Sequence, residues 1–178
     1  MYRDHPDNIL GVNTSNNLFD SSNVAANADG SMIERQQYIQ EAIASNALGQ
    51  AIVRKAVTFA NTAADVPLFT VTGDVIVKLV AVCGTSLASA AGANIGVDAG
   101  TVALIADTDC TAIDAGEIWH DASPDASVEA LSVLKEFIIA NGTDIVLDVE
   151  ALKQVDSGVI NFYCFYTPLS ANGAVVAA

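Results

Sequence analysis

Basic residues are scarce in this chain. Seven Lys and Arg stand against twenty-one Asp and Glu, a formal net charge of −14. A protein that grips nucleic acid must neutralise phosphates with cationic side chains, so no nucleic-acid partner is expected. Cysteine is sparse too, at three residues, Cys83, Cys110 and Cys164. None has the spacing of a zinc knuckle or a redox pair, and an odd count argues against a complete disulfide framework. Cys83 and Cys164 sit within apolar runs and read as buried free thiols. No apolar run reaches the roughly 18–20 uncharged residues of a membrane helix. The opening MYRDHPDNILG has no apolar stretch of the kind that heads a secretory signal. No membrane partner is expected, and the chain reads as one made in the cytoplasm. GxSxG, HExxH and phosphate-loop patterns are missing, and the two histidines, His5 and His120, lie far apart. No catalytic residue, cofactor or metal ligand is assigned, and the chain is not expected to be an enzyme.

Hydrophobic residues, by contrast, make up 52% of the 178 residues, enough for one domain with a substantial core. The densest β-forming stretch is 66–83, VPLFTVTGDVIVKLVAVC. Val75, Val77, Leu79 and Ala81 fall on one face; Ile76, Val80 and Val82, interrupted by Lys78, fall on the other. A strand apolar on both faces belongs inside a sandwich or at an oligomer interface. Thr72-Gly73-Asp74 breaks the run with a turn or bulge.

Four regions follow along the chain. Residues 1–30 are rich in Asn, Asp and Ser and read as an extended N-terminal arm or a disordered tail. Ile9, Leu10, Leu18 and Phe19 punctuate it and are the candidate anchors to a partner. Residues 31–48 read as a short helix, opened by the capping-box spacing of Ser31 and Glu34. Met32, Gln36, Ile39 and Ile43 recur at intervals of four, three and four, a seam suited to an oligomer axis. Isoleucine at both core positions leans toward three or more strands, and so toward a homotrimer. The alternative is that this stripe packs on its own β domain.

Residues 49–168 read as eight or nine short strands. Expected strands include 51–59, the two halves of 66–83, 93–98, 101–106, 137–139, 143–149 and 159–167. Residues 84–92 look turn-like, and Val128, Leu131, Val133 and Leu134 look like the inward side of a helical turn. The segments on either side of Asn141-Gly142 read as a hairpin. Residues 169–178 are left as a C-terminal tail, an arm or a frayed end. The fold class is mainly β, an antiparallel β-sandwich, jelly-roll-like, preceded by the arm and the helix. Other Greek-key sandwiches are the alternative.

Two features invite a chemical reading. Asp107, Asp109, Asp114, Glu117, His120 and Asp121 crowd one stretch whose carboxylates suit calcium. It lacks the glycine and terminal glutamate of an EF-hand loop, and a solvated acidic loop is the better reading. Trp119, the only tryptophan, is either an exposed sugar-stacking platform or a core plug.

The join Asn27-Ala28-Asp29-Gly30-Ser31-Met32-Ile33-Glu34-Arg35, the helix after it, and the stretch LFTVTGDVIVKLVAVCGT followed by residues 96–100 resemble structural proteins of tailed bacteriophages. The likeness is to capsid decoration (cement) and head-fibre proteins. It implies a trimeric virion protein on the outer capsid surface, bound to the major capsid protein and stabilising contacts between its subunits. The competing expectation is a head- or tail-fibre module that binds a host-surface glycan through the Trp119 loop. The resemblance implies no catalytic residue.

Overall fold

The computed structural model describes residues 51–125 and 127–178. The arm anchors Ile9, Leu10, Leu18 and Phe19 and the axis residues Met32, Gln36, Ile39 and Ile43 lie outside the described residues.

Among the described residues, ten strands form two five-stranded antiparallel sheets. They are β1 (Ala51–Thr62), β2 (Val66–Thr72), β3 (Val75–Ala88), β4 (Asn94–Ala99), β5 (Val102–Asp109), β6 (Ile118–Trp119), β7 (Phe137–Ile139), β8 (Ile145–Val149), β9 (Val155–Pro168) and β10 (Ala174–Ala177). One sheet runs β1-β9-β3, with β6 and β7 both on the far edge of β3. The other runs β10-β2-β8-β4-β5. The pairing is nested: β4 with β5, β3 with β6 and β7, β2 with β8, β1 with β9. A long hairpin folded over into two layers pairs in this way, and it defines a jelly roll. β10 is an addition at the edge of β2.

The alternation of side chains explains the layers. Along β3 buried and partly buried residues alternate strictly from Val75 to Cys83. Val75, Val77, Leu79 and Ala81 enter the core, as expected. Facing them from the second sheet are Phe69, Val71, Ile95, Val97, Ile145 and Leu147, all buried. Trp119 and Phe162 are fully buried and meet edge to face, with centroids 6.3 Å apart and planes at 65°.

Several sequence expectations give way. β3 continues to Ala88, so the turn-like 84–92 shrinks to the few residues before Asn94. Small residues there are tolerated because β9 runs alongside, with register shifts between Cys83, Thr85 and Ala88. Asn141 and Gly142 do turn the chain, with φ of 57° and 66°. Yet β7 joins β3 in one sheet and β8 joins β2 and β4 in the other. The turn is a corner between layers rather than the tip of a hairpin. Val128, Leu131 and Val133 do not face inward; they are exposed around the 3₁₀ turn Leu131–Val133. The segment left as a tail contributes β10, with Val175 buried. No helix among the described residues is long and apolar enough to cross a membrane.

Candidate functional site

The two outer faces of the sandwich differ in kind. On the β1-β9-β3 sheet, residues in register project to the same side, and the rows can be read across. Ile52, Phe165 and Lys78 form one row; Arg54, Tyr163 and Val80 the next; Ala56, Asn161, Val82 and Ile118 a third. Ile76 lies between Thr167 and Ile138. Ile52 and Ile138 are 54% and 71% exposed, and the aromatic and aliphatic residues between them are partly buried. Within β1, β9 and β3 these rows hold no carboxylate; Asp125, bridged to Ile118, stands at the outer end of the third. Their two cations are already engaged: Arg54 lies 5.5 Å from the centre of the Tyr163 ring, and Lys78 pairs with Glu136 at 2.9 Å on the margin. The connection between β6 and β7, strands that both border this sheet, exposes Val128 and Leu131 as well. This is the outward apolar side that β3 displays in the sequence, and nothing in the described domain covers it.

The other outer face is acidic. Gly96 of β4 stands opposite Asp148 of β8. A side chain at Gly96 would collide with the carboxylate of Asp107. A cleft of about 590 Å³ opens here, lined among others by Asp65, Asp107, Asp148 and Glu150. Partial burial, then the neighbouring carboxylates Asp107 and Asp65, push the Asp98 carboxyl above its ordinary range. Asp148 is raised by the same two causes, burial first and then Asp65, Asp98 and Asp107.

The acidic stretch singled out in the sequence does not converge on one point. Asp107 faces the Gly96 cleft. Asp109 accepts hydrogen bonds from the Thr111 backbone N–H (2.9 Å) and hydroxyl (2.7 Å), which hold its carboxyl below the usual value. Glu117 accepts from the Asp114 backbone at 2.8 Å. His120 instead turns to two residues further along, with Nε2 3.3 Å from Asp125 Oδ2 and 3.8 Å from Glu129 Oε2. Asp121 lies 4.0 Å from its Nδ1. These three groups, His120, Asp125 and Glu129, are the described residues placed to share a metal ion. The sequence reading misses two of them, because Asp125 and Glu129 fall beyond the acidic cluster and meet His120 only through the Ile118–Asp125 bridge.

Trp119 is a core plug. Its indole N–H donates to Thr108 Oγ1 at 3.0 Å, and its ring is fully buried. It offers no face to a sugar. All three cysteines are buried free thiols. Burial pushes Cys164 up to about 12, and Cys83 and Cys110 are raised for the same leading reason.

The fold and its surfaces define an antiparallel jelly-roll domain with one apolar and one acidic outer face. No protein-family model matches the chain, and no curated protein matches it. A solved structure described as "Bacillus endospore appendages form a novel family of disulfide-linked pili" shares 16% identity over 66% of this chain and 89% of its own, with a TM-score of 0.26. A likeness that low transfers neither fold nor role.

Proposed function

We propose that this chain is a structural subunit of a virion: a decoration, or cement, protein that associates as a homotrimer and binds the major capsid protein on the outer surface of a phage head. The observation that carries the self-association is the apolar outer face of the β1-β9-β3 sheet, whose carboxylates, Glu136 and Asp125, stand only at its margin. Each copy bears a net charge of −14, so copies repel one another over most of their surface. They can approach closely only where carboxylates are missing and apolar area is gained. That surface is the β1-β9-β3 face, and its occupant is a second and third copy of the chain. The seam Met32, Gln36, Ile39 and Ile43 would add a second means of self-association, and Ile9, Leu10, Leu18 and Phe19 would bind the capsid. Three weakly binding arms on one axis bind by avidity. The virion setting rests on the phage-like segments in residues 27–44, 68–85 and 96–100.

Sedimentation velocity tests the oligomer, and addition to undecorated heads tests the role. The full chain should sediment as a trimer and should raise the resistance of bare heads to heat. Val80→Asp on the apolar face should yield monomers, whereas Thr70→Asp on the opposite face should not. A wild-type monomer at micromolar concentration, or heads left unprotected by a trimer, would overturn the oligomer and the role respectively. Burial of Trp119 removes the stacking platform on which a glycan-binding reading depends.

A further inference from the structure

We infer that His120, Asp125 and Glu129 form a binding site for one divalent transition-metal ion of the Zn²⁺ class, independent of the assembly reading above. Three observations converge. First, the His120 side chain is 7% exposed, and its Nε2 is sealed from solvent without a hydrogen-bond partner. Asp125 Oδ2 at 3.3 Å is near enough for a hydrogen bond but is not so oriented. A buried ring nitrogen left unpaired is costly. A cation between the nitrogen and the carboxylates would satisfy all three groups at once.

Second, the spacing suits a small ion. Arms of about 2.0–2.1 Å around a tetrahedral centre put neighbouring ligand atoms roughly 3.3 Å apart. Nε2 and Asp125 Oδ2 already stand at 3.3 Å, and the Glu129 oxygen at 3.8 Å needs only a small side-chain adjustment. An imidazole with two carboxylates selects Zn²⁺ and its transition-metal neighbours over Ca²⁺ or Mg²⁺, which favour all-oxygen shells. Water completes the coordination.

Third, His120 and Asp125 stand on a closed loop, with Glu129 four residues beyond it. Ile118 and Asp125 exchange backbone hydrogen bonds of 3.0 and 2.8 Å, and the Asp121 carbonyl accepts from Thr108 Oγ1 at 3.3 Å. Trp119 anchors the start of the loop in the core. Asp121 Oδ2, 4.0 Å from Nδ1, is too far to hydrogen-bond the ring and adds only its negative charge. The bound ion would pin the β6–β7 connection, which otherwise carries exposed Val128 and Leu131.

The test is calorimetric titration of the chelator-treated full chain with Zn²⁺, alongside thermal melts with and without the ion. The wild type should bind one ion per chain and melt at a higher temperature in its presence. His120→Gln and Glu129→Gln should each weaken binding at least tenfold and abolish the thermal shift. Asp148→Asn, in the acidic cleft of the other sheet, should leave both readouts unchanged. Glu129 is partly exposed, so its variant keeps the test decisive if His120→Gln fails to fold. Absent binding in the wild type, or equal binding in wild type and Glu129→Gln, would overturn the site.

Discussion

At the scale of single residues, the core is tuned by a few polar decisions. Thr108 is the buried polar residue among the described residues, and its hydroxyl receives the Trp119 indole N–H. Thr108→Val keeps the volume but strands that donor, and urea unfolding should show a loss of about 1–3 kcal/mol. The thiols make a second case. With Cys164 at about 12, the gap to pH 8 is about four units, so roughly one thiol in ten thousand is thiolate. Ellman's reagent should leave the native chain unmodified at pH 8 and react fully only after unfolding. The acidic cleft supplies a third. Asp98 and Asp148 have folded-state values raised above the unfolded ones. Their ionisation is therefore a burden on the fold. It is relieved below the unfolded carboxylate value, grows as the pH rises between the two values, and is fully present above the folded one. Asp148→Asn should raise Tm at neutral pH, and the advantage should vanish on acidification. Both groups are largely solvated, so screening keeps the gain small, a few tenths of a kcal/mol by analogy with surface pairs.

At the scale of elements, strand identity was legible and strand partnership was not. Alternation in 66–83 grouped Val75, Val77, Leu79 and Ala81 on one face and Ile76, Val80 and Val82 on the other, because a pleated strand offers only two faces. Which of the two meets the second sheet was not legible, since both are apolar. What alternation does not carry is which sheet a strand joins. Phe137–Ile139 and Ile145–Val149 flank a good turn, yet they pair with β3 and with β2 and β4, far back in the sequence, and not with each other. The run Ala174–Ala177 has the plain composition of a frayed end and becomes a strand only because β2 presents an open edge. His120, Asp125 and Glu129 were illegible as a group for a like reason, since a backbone bridge brings them together. Gly158, within a strong strand run, carries a legible signal of its own. Its φ is 127°, and a Cβ there would meet Leu87 Cδ2 at 2.3 Å and the Ser86 carbonyl at 2.9 Å. A glycine inside a strand often marks a close approach, and here it lets β9 pass the end of β3. Gly158→Ala should cost about 2–4 kcal/mol through strain and overpacking, read as a lower urea midpoint with unchanged slope. Removing residues 173–178 should bare the β2 edge, remove the contact of Lys55 on β1 with the Ala178 carbonyl, and promote aggregation, as unprotected edges do.

At the scale of the whole molecule, the nested pairing has a kinetic meaning. Ala51 of β1 lies opposite Tyr166 of β9, so the outermost strands of the hairpin are also the most distant along the polypeptide. Such long closures are slow, and domains dominated by them fold in milliseconds to seconds. On a ribosome, β1 must wait unpaired while more than a hundred further residues are made. The strand that waits carries Ile52, and the surface it completes is the very one on which copies would meet. If copies associate as proposed, neighbouring nascent chains would lack a finished docking face, and their encounter would wait until each had been synthesised through β9.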